Sequence, residues 1–211
     1  MTTNDDPRIA ALVDAYTPEG AAGLPPTGFG DHYVFFVGRD DCHGLLMHLF
    51  TMETVGAKLN MFGFDDDELN AAILALMARP DVHVQGTLDR SQAGGVHERK
   101  IVEHDLAARP DFLNFFAIGQ SATHQISHTK GGYLAGLGLG FEGSMNWSAS
   151  GEGTGIVLDG GPQHPGFKAQ NNTLLVSSNP VFLRRMAARL DVEHAIAATQ
   201  QATRIAQGKP W

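Results

Sequence analysis

Two short stretches carry residue types that together suit chemistry at phosphorus. The first is Ser-His-Thr-Lys at residues 127–130, and the second is Gly-Ser-Met-Asn-Trp-Ser at residues 143–148. Side chains two apart on an extended chain point to one face, so the pattern predicts that His128 and Lys130 project side by side. An imidazole can attack a phosphate ester, while an ammonium, an amide and a hydroxyl can hold the phosphoryl oxygens. We therefore predict a site for an anionic phosphate ester.

The elements that must position these residues alternate between strands and helices. Aromatic, β-branched or buried-looking runs predict strands, and apolar residues at helical spacing predict helices. Strands are predicted at 32–37, 57–64, 82–88, 114–118 and 173–176, extended segments at 127–134 and 139–147, and helices at 44–55, 69–77, 98–109 and from Pro180 onward. This order predicts one α/β domain whose largely parallel strands are covered by helices.

The boundaries of that domain follow from composition. Residues 1–30 are predicted to be an N-terminal lead-in, because a short helical pattern ends in Gly- and Pro-rich sequence. Residues 31–211 are predicted to form the domain, and residues 150–168, rich in Gly and Pro and without periodicity, a surface loop.

Composition narrows the class of protein. Apolar residues make up 43% of the 211-residue chain and charged residues 18%, as in globular proteins. No run approaches the roughly 20 apolar residues of a membrane-spanning helix, and the N-terminus lacks a secretory pattern, so we predict a cytoplasmic location. The single cysteine, Cys42, forms no intramolecular disulfide. Because the formal net charge is −8, a polyanion would need a local cationic site.

The two stretches resemble the signature of the phospholipase D superfamily, which is His-x-Lys followed by Gly-Ser-x-Asn. The resemblance runs from about Gly44 to about His194 and is greatest to small bacterial nucleases with one motif per chain. It implies a phospholipase D-like α/β/α sandwich with a mixed, largely parallel central sheet. It also implies a homodimer, because two copies of the motif join to make one active site.

The resemblance further implies an activity and a set of site residues. The implied activity is that of a metal-independent phosphodiesterase, favoured to be a nuclease, which forms a phosphohistidine intermediate on nucleic acid. The residues implied as catalytic are His128, Lys130, Asn146 and Ser148. The residues implied to bind substrate are Lys130, Ser144, Asn146, Trp147 and Asn171. No cofactor and no metal ion are expected.

The chain departs from the superfamily pattern in two places that leave alternatives open. Ala135 stands where many members have Asp, and Asn171 stands where a related nuclease has a Glu that orients the histidine. A substitute carboxylate could come from Glu142, Glu152 or Asp159. The alternatives are a hydrolase of phospholipids or other small diesters, and a catalytically impaired nucleic-acid-binding or scaffold protein.

Two further interpretations concern single residues. His124 and His128 are four apart, as metal ligands often are, and would make a zinc-dependent hydrolase if joined by nominal ligands such as His97, His104 and Glu98. We expect instead that His124 lies at the pocket edge or has no chemical role. Trp147 is expected either to stack on a base or to pack beside the motif.

Overall fold

The computed structural model describes residues 5–18, 28–92, 94–108, 116–153, 156–157, 161–162 and 170–209. Within these residues the helices α1 to α6 span, in order, Pro7–Tyr16, Cys42–Met52, Asp67–Met77, Val96–Ala108, Ala149–Glu152 and Pro180–Ala206. The strands β1 to β11 span, in order, His32–Phe36, Gly56–Met61, Phe64–Asp65, His83–Asp89, Phe116–Gly119, Gly131–Leu134, Leu139–Gly143, Trp147–Ser148, Ile156–Val157, Gly161–Pro162 and Thr173–Ser177.

The central sheet is mixed, as expected, but most of its strand pairs are antiparallel. Its seven strands follow the order β1-β11-β7-β6-β2-β4-β5. Only the β2–β4 and β4–β5 pairs are parallel, whereas the other four pairs are antiparallel. The expectation of a largely parallel sheet is therefore corrected, because the hairpin of β6 and β7, the edge strand β1 and its neighbour β11 all pair antiparallel.

Helices cover both faces of this sheet. On one face, α2 and α3 bury their apolar stripes in the main core, which also receives Ile9, Leu12 and Val13 of α1. On the other face, α6 packs closely against glycine positions of the sheet: a Cβ on Gly140 would lie 3.0 Å from atoms of Leu183 and Phe182. Phe141, the next residue, belongs to the main core, and successive strand residues point to opposite faces. The predicted α/β/α sandwich is confirmed.

Carboxylates begin the two helices nearest the candidate site. The side chain of Asp66 accepts a hydrogen bond from the backbone N–H of Leu69, and that of Asp41 accepts one from Gly44. Asp67 and Glu68 follow in the first turn of α3, where negative charge is favourable. Asp66 is thus the N-cap of α3.

The described residues of the segment 150–168 include short elements. Its first residues belong to the one-turn helix α5, in which Gly151 and Glu152 are buried. The strands β9 and β10 pair with each other, and residues 154–155, 158–160 and 163–169 lie outside the described residues. No helix in the described part of the chain is long and apolar enough to cross a bilayer.

Candidate active site

His128 and Lys130 meet at the start of β6. The ammonium Nζ of Lys130 lies 3.0 Å from Nδ1 of His128 and donates to the His128 carbonyl oxygen at 2.8 Å. The imidazole is exposed, whereas Lys130 is only 3% exposed. Both residues precede the first strand residue, Gly131, rather than lying within the strand. The structure nevertheless brings the two side chains together, as the sequence spacing predicts.

The ring of Phe62 supports this pair from one side. Its centroid lies 4.4 Å from that of His128, and Nζ of Lys130 lies 5.1 Å from it. An aromatic face attracts a cation, which offsets part of the desolvation of the buried ammonium. Sequence reasoning did not single out Phe62, which lies just after β2.

Burial and the neighbouring charges set the protonation of the pair. Burial lowers the pKa of Lys130 to about 8. Loss of solvation also lowers the pKa of His128, the Lys130 ammonium lowers it further, and the Asp89 carboxylate acts in the opposite direction. The imidazole is therefore neutral at neutral pH, which is the form in which its nitrogen can act as a nucleophile.

Two buried polar residues at the ends of neighbouring strands anchor the segment that carries His128. The backbone N–H of Ser127 donates to Oδ2 of Asp89 at 2.5 Å, and the Ser127 hydroxyl donates to Oδ1 of Asn60 at 3.1 Å. Asp89 ends β4 and Asn60 lies near the end of β2, two parallel strands. Sequence reasoning missed both residues, although a polar side chain within an apolar strand is a signal that could have found them.

The second stretch lies directly beside the first. The backbone N–H of Gly143 donates to the carbonyl of Lys130 at 3.0 Å, which continues the β6–β7 ladder. A Cβ at position 143 would collide with the backbone of Thr173, so only glycine fits there. The hydroxyl of Ser144 donates to Oδ1 of Asn172 and accepts from the backbone N–H of Thr173. Its bonds therefore hold the turn after β7 against the start of β11.

Asn146 lies at the edge of a cleft of about 420 Å³. Its side chain packs against Gly63, whose added Cβ would lie 3.0 Å from Cγ of Asn146. The Oδ1 atom of Asn146 is buried and has no hydrogen-bond partner among the described residues. Phe62 and Gly63 are consecutive residues. Phe62 contacts His128 and Lys130, and Gly63 contacts the side-chain amide of Asn146.

The remaining predicted site residues have other contacts. Ser148, which also lines the cleft, accepts a hydrogen bond from the backbone N–H of Gly151 as the N-cap of α5. Asn171 is exposed just before β11. Trp147 is 2% exposed, with its ring centroid 5.3 Å from that of Phe50. This burial leaves no open face for a base, so the packing interpretation of Trp147 replaces the substrate-binding one.

The suggested substitute carboxylates do not contact His128 in the described residues. Glu152 pairs instead with His43, at 2.5 Å between Oε2 and Nδ1. Glu142 is exposed and lines a groove on the α6 side, and Asp159 lies outside the described residues. The carboxylate whose charge acts on His128 is that of Asp89.

The described residues offer no set of ligands for a zinc ion at His124. Among the described residues, no group of three convergent metal-ligating side chains includes His124 or His128. His97 is engaged with Asp67 and Asp65, at 2.9 and 3.3 Å, and the side chain of His104 lies outside the described residues.

Comparison with known proteins identifies the fold. No protein-family model and no curated protein sequence matches the chain. Among solved structures, Nuc from Salmonella typhimurium, described as a phospholipase D family member, is 12% identical with a TM-score of 0.54, covering 79% of this chain and 96% of that one. NucT from Helicobacter pylori is 13% identical with a TM-score of 0.54, covering 78% and 96%.

A third similar structure is a larger protein. Phosphatidylserine synthase from Haemophilus influenzae is 12% identical with a TM-score of 0.53, covering 75% of this chain but 36% of that one. The arrangement of strands and helices that positions His128 and Lys130 is similar to that of these three solved structures. The chain therefore has the fold of the phospholipase D superfamily.

Proposed function

We propose that this protein hydrolyses phosphodiesters, with nucleic acid as the substrate class, at a site completed by a second copy of the chain. The observation that carries the proposal is the contact between a neutral, exposed imidazole and a buried ammonium, His128 and Lys130. The exposed imidazole could attack a phosphorus atom, and the ammonium beside it could stabilise the charge that develops on the phosphoryl oxygens.

The reaction has two steps. A ring nitrogen of His128 forms a bond to phosphorus while the bond from phosphorus to the leaving oxygen breaks. In the dimer the two imidazoles hold one extra proton between them, so His128 of the second copy, in its protonated form, gives that proton to the leaving oxygen. Once neutral, the same imidazole takes a proton from water, whose oxygen attacks phosphorus and releases the histidine. These steps need only the two imidazoles, water and the donors around the phosphoryl group.

The neighbouring residues divide between binding and support. Lys130 makes two contacts with His128, which leaves one N–H for a phosphoryl oxygen. Asn146, at the cleft edge, offers its amide to a second oxygen. Ser144 and Ser148 already bond within the protein, so we assign them to holding the turn and α5.

Two observations support a nucleic acid rather than a small diester. The chain spans nearly the whole length of Nuc and NucT, so its size suits the single-motif architecture. Arg185 and Arg189 of α6 line a groove of about 500 Å³ beside Met186, which packs near Gly131 at the start of β6. The two arginines of this groove, which Glu142 also lines, could follow a phosphate backbone despite the overall negative charge. The homodimer and the cytoplasmic location stay predictions.

The test replaces the nucleophile and compares it with a nearby histidine. His128→Asn should lower hydrolysis of bis-p-nitrophenyl phosphate by at least ~10²–10⁴-fold, because the nucleophile and general acid are both removed. His124→Asn is the matched control, since His124 is exposed with a positive φ that asparagine tolerates. Plasmid, single-stranded DNA, RNA and phosphatidylcholine, assayed in parallel, then identify the substrate class.

Two outcomes would contradict the proposal. Wild-type rates in His128→Asn would remove the nucleophile assignment. A wild-type chain that binds DNA but cleaves none of the substrates would favour the impaired binding protein suggested by Ala135 and Asn171.

A further inference from the structure

A second cluster of ionisable side chains converges where α2, the start of α3 and the end of α5 meet. Nδ1 of His43 lies 2.5 Å from Oε2 of Glu152 and 3.9 Å from Oδ2 of Asp66. One ligand atom from each of these residues lies within 4.8 Å of the other two. The three come from separate elements, so the convergence is a product of the tertiary fold.

Glu152 is the least solvated member of this cluster. Its side chain is 0% exposed, and its Oε1 atom has no hydrogen-bond partner among the described residues. Burial accordingly raises the pKa of Glu152 to about 7. A buried carboxylate oxygen without a partner is destabilising, and a cation bound at this carboxylate would remove that penalty.

The other ring nitrogen of His43 is held by a fourth carboxylate. Nε2 lies 3.0 Å from Oε2 of Glu68, whose side chain is 74% exposed. A histidine that binds a metal through one nitrogen usually donates the N–H of the other to a carboxylate or carbonyl. Glu68 supplies that partner and leaves Nδ1 directed at Asp66 and Glu152.

We propose that His43, Asp66 and Glu152 bind a divalent transition-metal ion, with Zn²⁺ preferred, and that Glu68 orients the imidazole. An imidazole with carboxylates suits Zn²⁺, whereas Mg²⁺ and Ca²⁺ prefer oxygen ligands alone. Ligands about 2.0–2.2 Å from a tetrahedral zinc lie roughly 3.3 Å apart. The two separations from Nδ1 bracket that value, and all three ligand atoms lie within 4.8 Å of one another, so small side-chain shifts would complete the site.

The site fastens the segment that carries Asn146 and Ser148. Ser148 caps α5, whose last residue is Glu152, and the pairing of β3 with β8 joins Asp65 to Ser148. A metal ion would therefore tie residues 147–152 to the first turn of α2 and the start of α3. Its role is structural, and the ion supplies no step of phosphodiester hydrolysis.

The experiment is a zinc titration of the full, tag-free chain after dialysis against a chelator. Calorimetry should show about one Zn²⁺ per chain, with Mg²⁺ and Ca²⁺ unable to compete, and Co²⁺ should give the visible absorption of a low-coordinate site. Glu152→Gln should abolish this binding. Glu68→Gln should weaken it by about 10–100-fold, as expected for a residue that acts through a ligand.

Asp66→Asn separates metal binding from folding. The introduced amide would keep the cap of α3, because its oxygen can accept the same hydrogen bond from Leu69 as the native carboxylate, yet the change removes a charged ligand. We expect at least a tenfold loss of zinc affinity at unchanged helix content. Asp41→Asn, the equivalent change at the cap of α2, is the matched control and should bind zinc like the wild type.

Two results would overturn the proposal. One is a wild-type chain without saturable, stoichiometric zinc binding. The other is Asp66→Asn with wild-type affinity, which decides the question even if Glu152→Gln does not fold. In either case the cluster would be an ion-pair network only.

Discussion

Two histidines in this molecule have opposite electrical surroundings. His128 has an ammonium 3.0 Å from its Nδ1, whereas His43 has a carboxylate 2.5 Å from the same ring atom. The pKa of His128 is lowered by loss of solvation and by Lys130, while the hydrogen bond with Glu152 raises the pKa of His43 to about 9. At neutral pH the first is therefore neutral, as the proposed nucleophile must be, and the second holds a proton unless a metal ion takes its place.

The difference also extends to solvent access. The imidazole of His128 is exposed while its partner Lys130 is buried, so substrate and a second chain can reach the nucleophile. The side chain of His43 is 16% exposed and those of Asp66 and Glu152 are 11% and 0% exposed. An enclosed cluster of this kind can hold segments together but offers no surface to a nucleic acid. Residue type alone does not decide between these roles; the neighbours do.

Removing the cation beside His128 is the change for which we expect the largest effect, and it tests whether that cation gives His128 its role. Lys130→Met keeps the approximate volume, and it should lower kcat/KM for bis-p-nitrophenyl phosphate by ~10²–10³-fold, because a donor to the developing charge is lost. The pKa of His128 should rise at the same time, since the Lys130 ammonium lowers it. Steady-state kinetics and NMR titration of the imidazole measure the two effects.

The matched control for this change is Lys58→Met. Lys58 pairs with Asp191 of α6 at 2.6 Å and has no part in the proposed site. A Lys130→Met chain with kcat/KM within a few-fold of the wild type would show that the contact with His128 has no role in the reaction.

The sequence predicted the contact between His128 and Lys130 well because its geometry is local. His128 and Lys130 are two residues apart, and the turn between β6 and β7 is short, so local spacing suffices to place the second stretch beside the first. Asp89 and Asn60 act on the same segment from 38 and 67 residues away along the chain. Nothing in local spacing reports such contacts, and the two residues were missed.

Long-range contacts also explain why the direction of the strand pairs was predicted wrongly and why the cluster around His43 was missed. The positions of the strands were predicted from periodicity, but the direction in which β1 and β11 pair depends on long-range topology. Asp66 is the N-cap of α3, and its approach to Glu152 requires α5, which lies largely in a segment predicted to be a surface loop. The glycine-rich composition of this segment gave no indication that the carboxylate of Glu152 is buried.

The pH dependence of the free energy of unfolding should show the effect of the carboxylates around His43. In metal-free protein the folded state holds the His43 proton up to about pH 9, above the ordinary value of 6.5. The stabilisation is therefore complete below pH 6.5 and is lost as the pH rises to 9, by about 1–3 kcal/mol. Glu152, whose pKa is raised to about 7, acts in the same direction at lower pH.

Urea unfolding of the chelator-treated chain between about pH 6 and 9.5 measures this loss. His43→Gln should flatten the dependence, whereas His48→Gln, an exposed position on the same helix, should keep it. A His43→Gln chain that loses stability with pH as steeply as the wild type would place the responsible groups elsewhere.

The alkaline limb of the pH–rate profile gives the smallest and most specific effect. Burial lowers the pKa of Lys130 to about 8, so its ammonium loses the proton, and with it the charge that holds the phosphoryl oxygens, as the pH rises through 8. Because kcat/KM reports the free enzyme, it should fall about tenfold for each pH unit beyond that point. The limb of kcat should lie at higher pH, since a bound phosphate favours the charged amine. An arginine stays charged throughout this pH range, so the Lys130→Arg variant should show no alkaline fall in kcat/KM, even if its rate at neutral pH is lower. If the variant shows the same alkaline fall as the wild type, the titrating group is not Lys130. In that case the cation beside His128 would not be the feature that distinguishes His128 from His43.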